Sequence, residues 1–541
     1  MSDLQKDPHK AEVEMHENQD AVDRDMGHLA LQEAHDESPM QAVRRHPWTV
    51  LWIVFAIWQC VAVSFDAQAG SAVLSIPKFR ENYGFLNSEG TYELYAKWQS
   101  AYSGGPAAGQ VIGTIISGSI GDYIGRKWNL FLCYILLLIG ITVEVVSDMT
   151  ANNNAVFFVG KVINGVALGV LVTTIMTYIG EIAPLALRGI VTAAAAAAFT
   201  LGPLVQSLIT NSYGNLDNAW AYKSIFVAQY GVTGLAILFW PLMPESPTWL
   251  ISKGRREKAE RSLSRLGNDD EQILKRVADI QLTLEEASLE TDGVTWAECF
   301  RKSNLRRTII AVMPLTIQTF TGVYWVAGYA TYYFQLAGYS DQQSFHIAIG
   351  QQILSLAGNV TSWFLIDRVG RRGLSLWGLA ILTVVLFACG GSAVPGTIPG
   401  NKAATGLILV YCYLYNVTIG ATAYVAMSEV ATGRLRQKTA SLAYMTQGAI
   451  GTMWSFVLPY MFNPSEANMG AKVAFVFGGF SILCCFYFYY YHPETKHRSY
   501  EELDEMFFKG IPARQFSTYR TDAQLASEQV AADVGHGDRH V

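Results

Sequence analysis

The sequence predicts an all-α membrane protein in which twelve transmembrane helices form two related halves of six. Three observations lead to this prediction: apolar residues gathered in blocks, charged motifs that recur at a nearly constant offset, and basic residues concentrated in alternate loops. Of the 541 residues, 51% are hydrophobic and 16% are charged, and the mean hydropathy is +0.20. Soluble domains carry about 25% charged residues, so much of this chain suits a non-aqueous surrounding.

Twelve apolar blocks of roughly 20 residues are each long enough to cross a hydrocarbon core about 30 Å thick as a helix. We name them segments 1 to 12 in chain order. Segments 1 to 6 lie at 48–75, 98–118, 128–147, 155–179, 189–211 and 224–243. Segments 7 to 12 lie at 307–335, 345–366, 373–394, 404–428, 439–462 and 472–491.

The blocks divide the chain into five regions. We predict an N-terminal tail at 1–47, a first half at 48–243, a helical loop at 244–306, a second half at 307–491 and a C-terminal tail at 492–541. Residues 1–47 and 510–541 are polar, acidic-leaning and poor in large apolar side chains, so we expect both stretches to be largely disordered.

Charged motifs recur along the chain in the same order. GDYIGRK at 121–127 is echoed by DRVGRR at 367–372, EIAPLALR is echoed by EVATGRLR, and PES at 244–246 is echoed by PET. The offsets are 245, 248 and 249 residues, and the motifs follow the second, fourth and sixth segments of each half. Three ordered matches at such similar offsets indicate two homologous six-helix halves.

Basic residues in short loops indicate the orientation, because loops rich in Lys and Arg stay on the cytoplasmic side. The loops at 121–128, 180–188, 367–372 and 429–438 hold nine such residues in 33 positions, whereas the six loops on the other side hold five in about 68. We therefore expect both tails and the 244–306 loop to be cytoplasmic.

The recurring motifs bring acidic and basic residues together at the predicted cytoplasmic helix ends. Such residues can clasp the two halves while the inner side is shut and separate when it opens; the alternative is that they only set the topology. The predicted gate residues are Asp122, Arg126, Glu181, Arg188, Glu245, Asp367, Arg371, Glu429, Arg436 and Glu494.

Other kinds of site are not indicated. Most of the seven cysteines lie inside apolar blocks, where they act as small packing residues, and their spacing fits neither a metal site nor a disulfide framework. The chain also lacks a recognisable nucleophile–base set and a phosphate-binding loop. We therefore expect no metal, no cofactor, no nucleic-acid partner and no enzymatic activity.

Parallel six-helix repeats joined by a long cytoplasmic loop are the architecture of the major facilitator fold, whose substrate site lies between the halves near the bilayer midplane. Within that fold the chain resembles the sugar porter family. The matching stretches are GDYIGRK, YIGEIAPLALRG, PESPTWLISKGR, DRVGRRG, SEVATGRLRQK and PETKHRSYEELDEMF. The long polar N-terminus and QTFTGVYWVAGYATYYFQLAG at 318–338 are most similar to the fungal α-glucoside (maltose-type) branch.

The resemblance implies an alternating-access sugar transporter, monomeric and multi-pass in the plasma membrane, with most sugar contacts on segments 5, 7, 8 and 10. Segment 7 keeps Gln318 but lacks two further amides of the family, segment 5 reads Gly202-Pro203 in place of Gly-Gln, and segment 10 has Tyr424 in place of a stacking tryptophan. The expected substrate-binding residues are Gln318, Thr319, Tyr324, Gln351, Asn359, Tyr424 and Gln447.

The missing amides bear on the substrate, because a site built to hydrogen-bond particular hydroxyls discriminates strongly through them. The alanine run at 193–198 leaves space for a larger ligand or one with an apolar portion. We predict an α-glucoside or another oligosaccharide. A hexose uniporter, an exporter of a sugar-derived or other small polar metabolite and, less favoured, a sugar receptor stay open.

Asp66 and Lys161 are ionisable residues inside membrane segments, where a charge is unfavourable by a few kcal/mol and marks a pathway or a proton relay. Asp66 lies 18 residues past Trp48, and Lys161 lies 17–19 residues before the end of segment 4, so both stand roughly 25–29 Å from the same face. Proton-coupled sugar porters have an aspartate and an arginine here, so the resemblance implies proton symport through Asp66 and Lys161. A static pair is the alternative, and Val63, where maltose-type relatives have an acidic residue, keeps uniport open.

Overall fold

The computed structural model describes residues 38–87, 90–291, 295–431, 435–496, 498 and 500–521, and its chain is almost entirely helical. The helices of segments 1 to 6 are Pro47–Ala72, Ala96–Ile124, Arg126–Val146, Asn153–Ile182, Arg188–Tyr213 and Trp220–Phe239. Segments 7 to 12 form Lys302–Phe320 with Val323–Leu336, Asp341–Val369, Arg371–Ala393, Ile398–Val417 with Ile419–Val430, Arg436–Phe462 and Val473–Tyr490. The predicted all-α fold is confirmed.

Nine stretches within the described ranges are long and apolar enough to cross a membrane. The long helices of segments 2, 8 and 11 are not among them, and each of them packs on a helix of the other half. Segment 2 packs on segment 11, where Ser100 Oγ donates to Phe456 O at 2.7 Å, and segment 8 packs on segment 5. Small and polar side chains therefore replace large apolar ones along the interface between the halves.

Two membrane segments are interrupted, which we did not predict. Segment 7 breaks at Gly322, whose φ of +92° lies in the left-handed region that favours glycine. Segment 10 breaks at Thr418, with φ −110° and ψ −103°. Backbone polar groups at such breaks lose their helical partners and must find others within the protein.

One hydrophobic core includes residues of both halves, and it joins them at the end of the bundle opposite to the tails. Its fully buried aromatic residues come from both halves and include Phe79, Phe157, Trp325 and Phe462. Polar contacts join the halves at the same end, where Gln335 Nε2 donates to Ser75 O at 2.6 Å. The bundle is therefore closed at this end.

The loops and tails carry more structure than predicted. The loop after segment 1 contains the helix Pro77–Tyr83 and a hairpin that pairs Phe85–Leu86 with Tyr92–Glu93. The loop between the halves forms the helices Pro247–Ser252, Arg256–Arg265 and Asp270–Thr291 and the 3₁₀ turn Trp296–Phe300.

The predicted disorder of 1–47 is wrong for its last ten residues, and residues 1–37 lie outside the described ranges. Pro39–Arg45 is a helix with a capping box between Ser38 and Gln41, and Ala42 is fully buried. The prediction for 510–541 is wrong for 510–521, whereas 522–541 are not described. A few apolar residues within a polar stretch are enough to anchor these parts of the tails.

The described part of the C-terminal tail is anchored in this way. Phe516 is buried against Leu503 and Met506. Both of these residues belong to the helix Tyr500–Phe508. Arg498 Nη2 donates to the carbonyl oxygens of Phe516 and Tyr519 at 2.9 and 2.6 Å.

Candidate coupling and substrate site

Asp66 and Lys161 form an ion pair within the first half, with Lys161 Nζ 2.9 Å from Asp66 Oδ1. Their exposed fractions are 5% and 1%. Gly70, one turn after Asp66, permits this approach, because a Cβ at that position would stand 3.2 Å from Lys161 Cε. A buried charge that keeps no counter-charge is strongly destabilising.

Two polar partners of this pair were not predicted. Gln229 in segment 6 donates from Nε2 to Asp66 Oδ1 at 2.6 Å. Glu144 in segment 3 places Oε1 3.3 Å from Lys161 Nζ and accepts a 2.6 Å hydrogen bond from Asn164 Nδ2. Lys161 therefore lies between two buried carboxylates.

The sequence did contain a signal for Glu144. This residue lies 18 positions past Arg126, or about 27 Å along segment 3, which is the depth already found for Asp66 and Lys161. Comparing the depth of every ionisable residue inside a segment finds it. Gln229 gives no such signal, because a neutral amide in an apolar helix is compatible with many roles.

Gln318 lies against the break in segment 10. Its Nε2 donates to Ile419 O at 2.9 Å and to Gly420 O at 3.1 Å, and its Oε1 accepts from Gln447 Nε2 at 3.0 Å. Gln318 is 3% exposed, whereas Gln447 is partly exposed. Gln318 thus satisfies freed backbone carbonyls and holds Gln447 at the surface of the site.

Tyrosines surround this pair of amides. Tyr424 is 44% exposed, and its ring centroid lies 6.3 Å from that of Tyr444. The Tyr424 hydroxyl also interacts with Gln447. The Tyr324 hydroxyl packs on Gly451, where a Cβ would clash with it. The structure therefore brings Gln318, Gln447 and the two predicted tyrosines together, with Tyr424 the most open of them.

The other predicted substrate residues are separate from this cluster. Thr319 is fully buried and donates within its own helix to Thr316 O at 2.7 Å. Gln351 is 4% exposed and donates to Val326 O at 3.1 Å. Asn359 is partly exposed, and its Nδ2 lies 3.5 Å from Ala196 O on the alanine-rich segment 5.

The gate residues of the first half form one network. Arg126 Nη2 pairs with Glu181 Oε1 at 2.8 Å, and its Nη1 pairs with Asp122 Oδ1 at 3.1 Å. Glu245 accepts from the backbone amides of Arg126 and Lys127 at 2.9 and 3.1 Å. Burial raises the pKa of Glu245 above its ordinary value, and backbone hydrogen bonds, including those from Ser246 and Lys127, oppose the rise.

The second half repeats this network. Arg371 Nη2 pairs with Glu429 Oε1 at 2.9 Å, and Glu494 Oε1 accepts from the Arg371 backbone amide at 2.9 Å. Thr495 Oγ1 completes it with a 2.6 Å bond to Glu429 Oε2. The side chains of Arg188, Asp367 and Arg436 lie outside the described part of the structure.

Each network joins helices of one half. The contacts of the described gate residues therefore do not form the predicted clasp between the halves. In this state the opposite end of the bundle is the closed one. In the first half, a carboxylate joins segment 3 to the stretch that follows segment 6. In the second half, a carboxylate joins segment 9 to the stretch that follows segment 12. Each six-helix half is therefore held together at its tail end.

Known proteins resemble this chain both in sequence and in fold. A family model described as "Sugar (and other) transporter" matches residues 52–507. A general alpha-glucoside permease of Saccharomyces cerevisiae is 31% identical over 490 residues, covering 89% of this chain and 79% of the relative. The maltose permease MAL61 of the same species is 29% identical over 516 residues, covering 92% and 82%.

Among solved structures, the inward open conformation of the xylose transporter XylE from E. coli superposes with a TM-score of 0.69 at 20% identity, covering 84% of this chain and 99% of that one. This likeness supports the major facilitator fold. The relatives named here are permeases and transporters, so the sequence-based prediction that the chain is not an enzyme is confirmed. The chain belongs to the sugar (and other) transporter family, as a multi-pass membrane protein with the major facilitator fold.

Proposed function

We propose that the chain is an alternating-access transporter that carries an α-glucoside or another oligosaccharide together with a proton. The observation that carries the proton symport is the buried ion pair between Asp66 and Lys161 at 2.9 Å. A charge pair in a membrane helix bundle is expensive to bury, so a functional role is its default interpretation.

The proton acts by cancelling the charge of Asp66. When the site faces the outside, protonation of Asp66 removes its attraction for Lys161 and frees segments 1 and 4 to rearrange around the substrate. When the site faces the inside, loss of the proton restores the pair and helps to reset the carrier. Gln229 can donate to Asp66 in both states, because a protonated carboxyl still accepts through its carbonyl oxygen.

The sugar site that we propose lies at the two helix breaks of the second half. Gln447 and Tyr424 offer a hydrogen-bonding amide and a partly open aromatic face, and Gln318 holds them in place. Asn359 adds an amide at the interface with segment 5. Thr319 and Gln351 are bonded within the protein, so we assign them to helix packing.

The named relatives support the substrate class. The general alpha-glucoside permease and the maltose permease are 31% and 29% identical to this chain over most of its length. Small side chains in the alanine run of segment 5 leave the room that a disaccharide needs opposite segment 8.

The same proposal includes the topology. Both tails and the 244–306 loop lie in the cytoplasm, the two halves 48–243 and 307–491 move relative to each other, and a monomer in the plasma membrane is the working unit. The closed end then faces the outside, and the ion-pair networks of the two halves lie at the open cytoplasmic end.

Uptake measurements in yeast cells that lack their own sugar transporters test this function. Radiolabelled maltose is supplied with a panel of competing mono- and disaccharides, with and without a protonophore. We expect α-glucosides to compete and the protonophore to abolish accumulation. Hexose uptake at a rate that the protonophore does not change would instead establish a uniporter. Efflux of the substrate without accumulation would establish an exporter.

A further inference from the structure

Glu144 makes the buried charge cluster unbalanced. Asp66, Lys161 and Glu144 are each at most 5% exposed, and they bring two carboxylates to one ammonium group. With all three groups ionised the cluster carries one net negative charge, which is costly in a dry helix bundle. One additional proton makes it neutral.

Within the described part of the chain, Lys161 is the cation that pairs with Glu144. The charges that act on it are those of Lys161 and Asp66. The next charged groups, Asp148 and Lys223, pair with each other at 2.7 Å and cancel. Segment 6 presents the neutral amide of Gln229, which bonds to Asp66.

The polar atoms around Glu144 also include acceptors without a hydrogen-bond donor. Asn164 Nδ2 donates to Glu144 Oε1, yet Glu144 Oε2 and Asn164 Oδ1 are buried with no hydrogen-bond partner among the described residues. A proton on Glu144 Oε2 is a donor of the kind that this pair lacks. Burying carboxylate and amide oxygens without hydrogen-bond donors is unfavourable.

The site is shaped for this side chain. A Cβ on Gly160 would stand 2.8 Å from Glu144 Cγ, and a Cβ on Gly140 would clash with the Asn164 amide. Glycines on segments 3 and 4 thus let the two helices approach closely around the carboxyl group.

We propose that Glu144 is a second coupling residue, which takes over Lys161 as its counter-ion when Asp66 is protonated. The proton taken up from the outside lies first on Asp66, while Lys161 pairs with Glu144. It passes to Glu144 when Lys161 returns to Asp66, and it then leaves from Glu144 to the inside. Lys161 is never left without a carboxylate, so protonation of Asp66 does not strand a cation in the membrane core. This inference rests on the proposed proton symport.

Transport by the Glu144→Gln variant tests the exchange. Without the second carboxylate, protonation of Asp66 leaves Lys161 unpaired, so proton-coupled uptake needs a more acidic medium. We expect its pH midpoint to fall by about one unit or more, whereas exchange of labelled for unlabelled sugar continues. The matched control Glu257→Gln, at an exposed carboxylate of the loop between the halves, should keep the wild-type midpoint. An unchanged midpoint in Glu144→Gln would overturn the proposal.

Thermal unfolding of the purified full-length variants tests the shared pairing without transport. Asp66→Asn and Glu144→Gln each leave Lys161 one carboxylate, so each should lower Tm modestly. The double variant leaves none and should lower Tm by more than the two shifts together, or fail to fold. Adding Lys161→Met to the double variant should then restore folding, because it removes the stranded cation.

Additive Tm shifts, or a triple variant that folds no better than the double, would overturn the shared pairing. The pH dependence of the wild type tests the symport by itself. The inference and the proposed function can therefore fail separately.

Discussion

Glu245, just after segment 6, accepts a 2.9 Å hydrogen bond from the backbone amide of Arg126, the first residue of segment 3. Glu494 makes the equivalent 2.9 Å bond to Arg371 at the start of segment 9. A remote carboxylate thus caps a helix whose first amides have no partner within the helix, and its charge complements the positive end of the helix dipole. The caps tie the sixth segment of each half to its third.

Glu245→Gln and Glu494→Gln should each destabilise the folded protein by about 0.5–2 kcal/mol, because a neutral amide caps a helix start less well than a carboxylate. Thermal unfolding in detergent measures this effect. Glu257→Gln is the control, since Glu257 is exposed and pairs only across 3.8 Å with Arg261. Equal Tm values for all three variants would contradict the capping role.

Gly125→Ala and Gly370→Ala should each lower stability by about 1–3 kcal/mol. Their φ angles are +97° and +93°, and an added Cβ would stand 2.5 Å from Glu245 Oε2 or 2.6 Å from Glu494 Oε2. Gly118→Ala is the matched control, because a Cβ there meets nothing within 4 Å. The account fails here if the three alanine variants unfold at the same temperature.

His492 should make stability depend on pH. Burial lowers its pKa from 6.5 to about 3, so the folded protein keeps the ring neutral while the unfolded chain takes up a proton. Stability is therefore fully present above pH 6.5 and is lost at up to about 1.4 kcal/mol per pH unit as the pH falls towards 3.

The variant His492→Phe isolates this effect. Both ring nitrogens of His492 lack hydrogen-bond partners among the described residues, and the ring packs 4.7 Å from Phe488, so phenylalanine should fit. Tm measured from pH 7.5 to 5 should fall less steeply in the variant. Parallel curves for variant and wild type would show that His492 does not cause the loss.

Gln447→Ala should raise KM for the transported sugar by roughly 2- to 10-fold, the range expected for one lost hydrogen bond. Initial uptake rates over a range of sugar concentrations measure this change. Thr446→Val, on the same helix, removes a hydroxyl that bonds only to Leu442 O at 2.8 Å and should keep the wild-type KM. A Gln447→Ala variant with unchanged KM would remove Gln447 from the sugar site.

The helical segments could be predicted to within six residues at each end, because bilayer thickness sets the length of an apolar block. The breaks at Gly322 and Thr418 could not, since one glycine or threonine in an apolar helix has many uses. The breaks matter for the site, because the position at which segment 10 exposes its backbone carbonyls determines whether Gln318 bonds to the backbone or to a sugar. Sequence alone does not locate that point.

Within the charge cluster, depth along the helices predicted the partner of Asp66. The same reasoning applies to Glu144, which lies at the same depth on segment 3. Gln229 could not be predicted, because the rotation of segment 6 about its axis decides which side chains reach Asp66. Helix rotation depends on packing with all neighbours at once.

The most direct test of proton symport through the Asp66–Lys161 pair is sugar accumulation by Asp66→Asn in energised cells. The variant keeps the shape of the side chain and loses the proton site. We predict that it equilibrates labelled α-glucoside across the membrane but does not concentrate it, whereas the control Glu257→Gln, at an exposed carboxylate, accumulates sugar like the wild type. Accumulation against a gradient by Asp66→Asn would contradict the account.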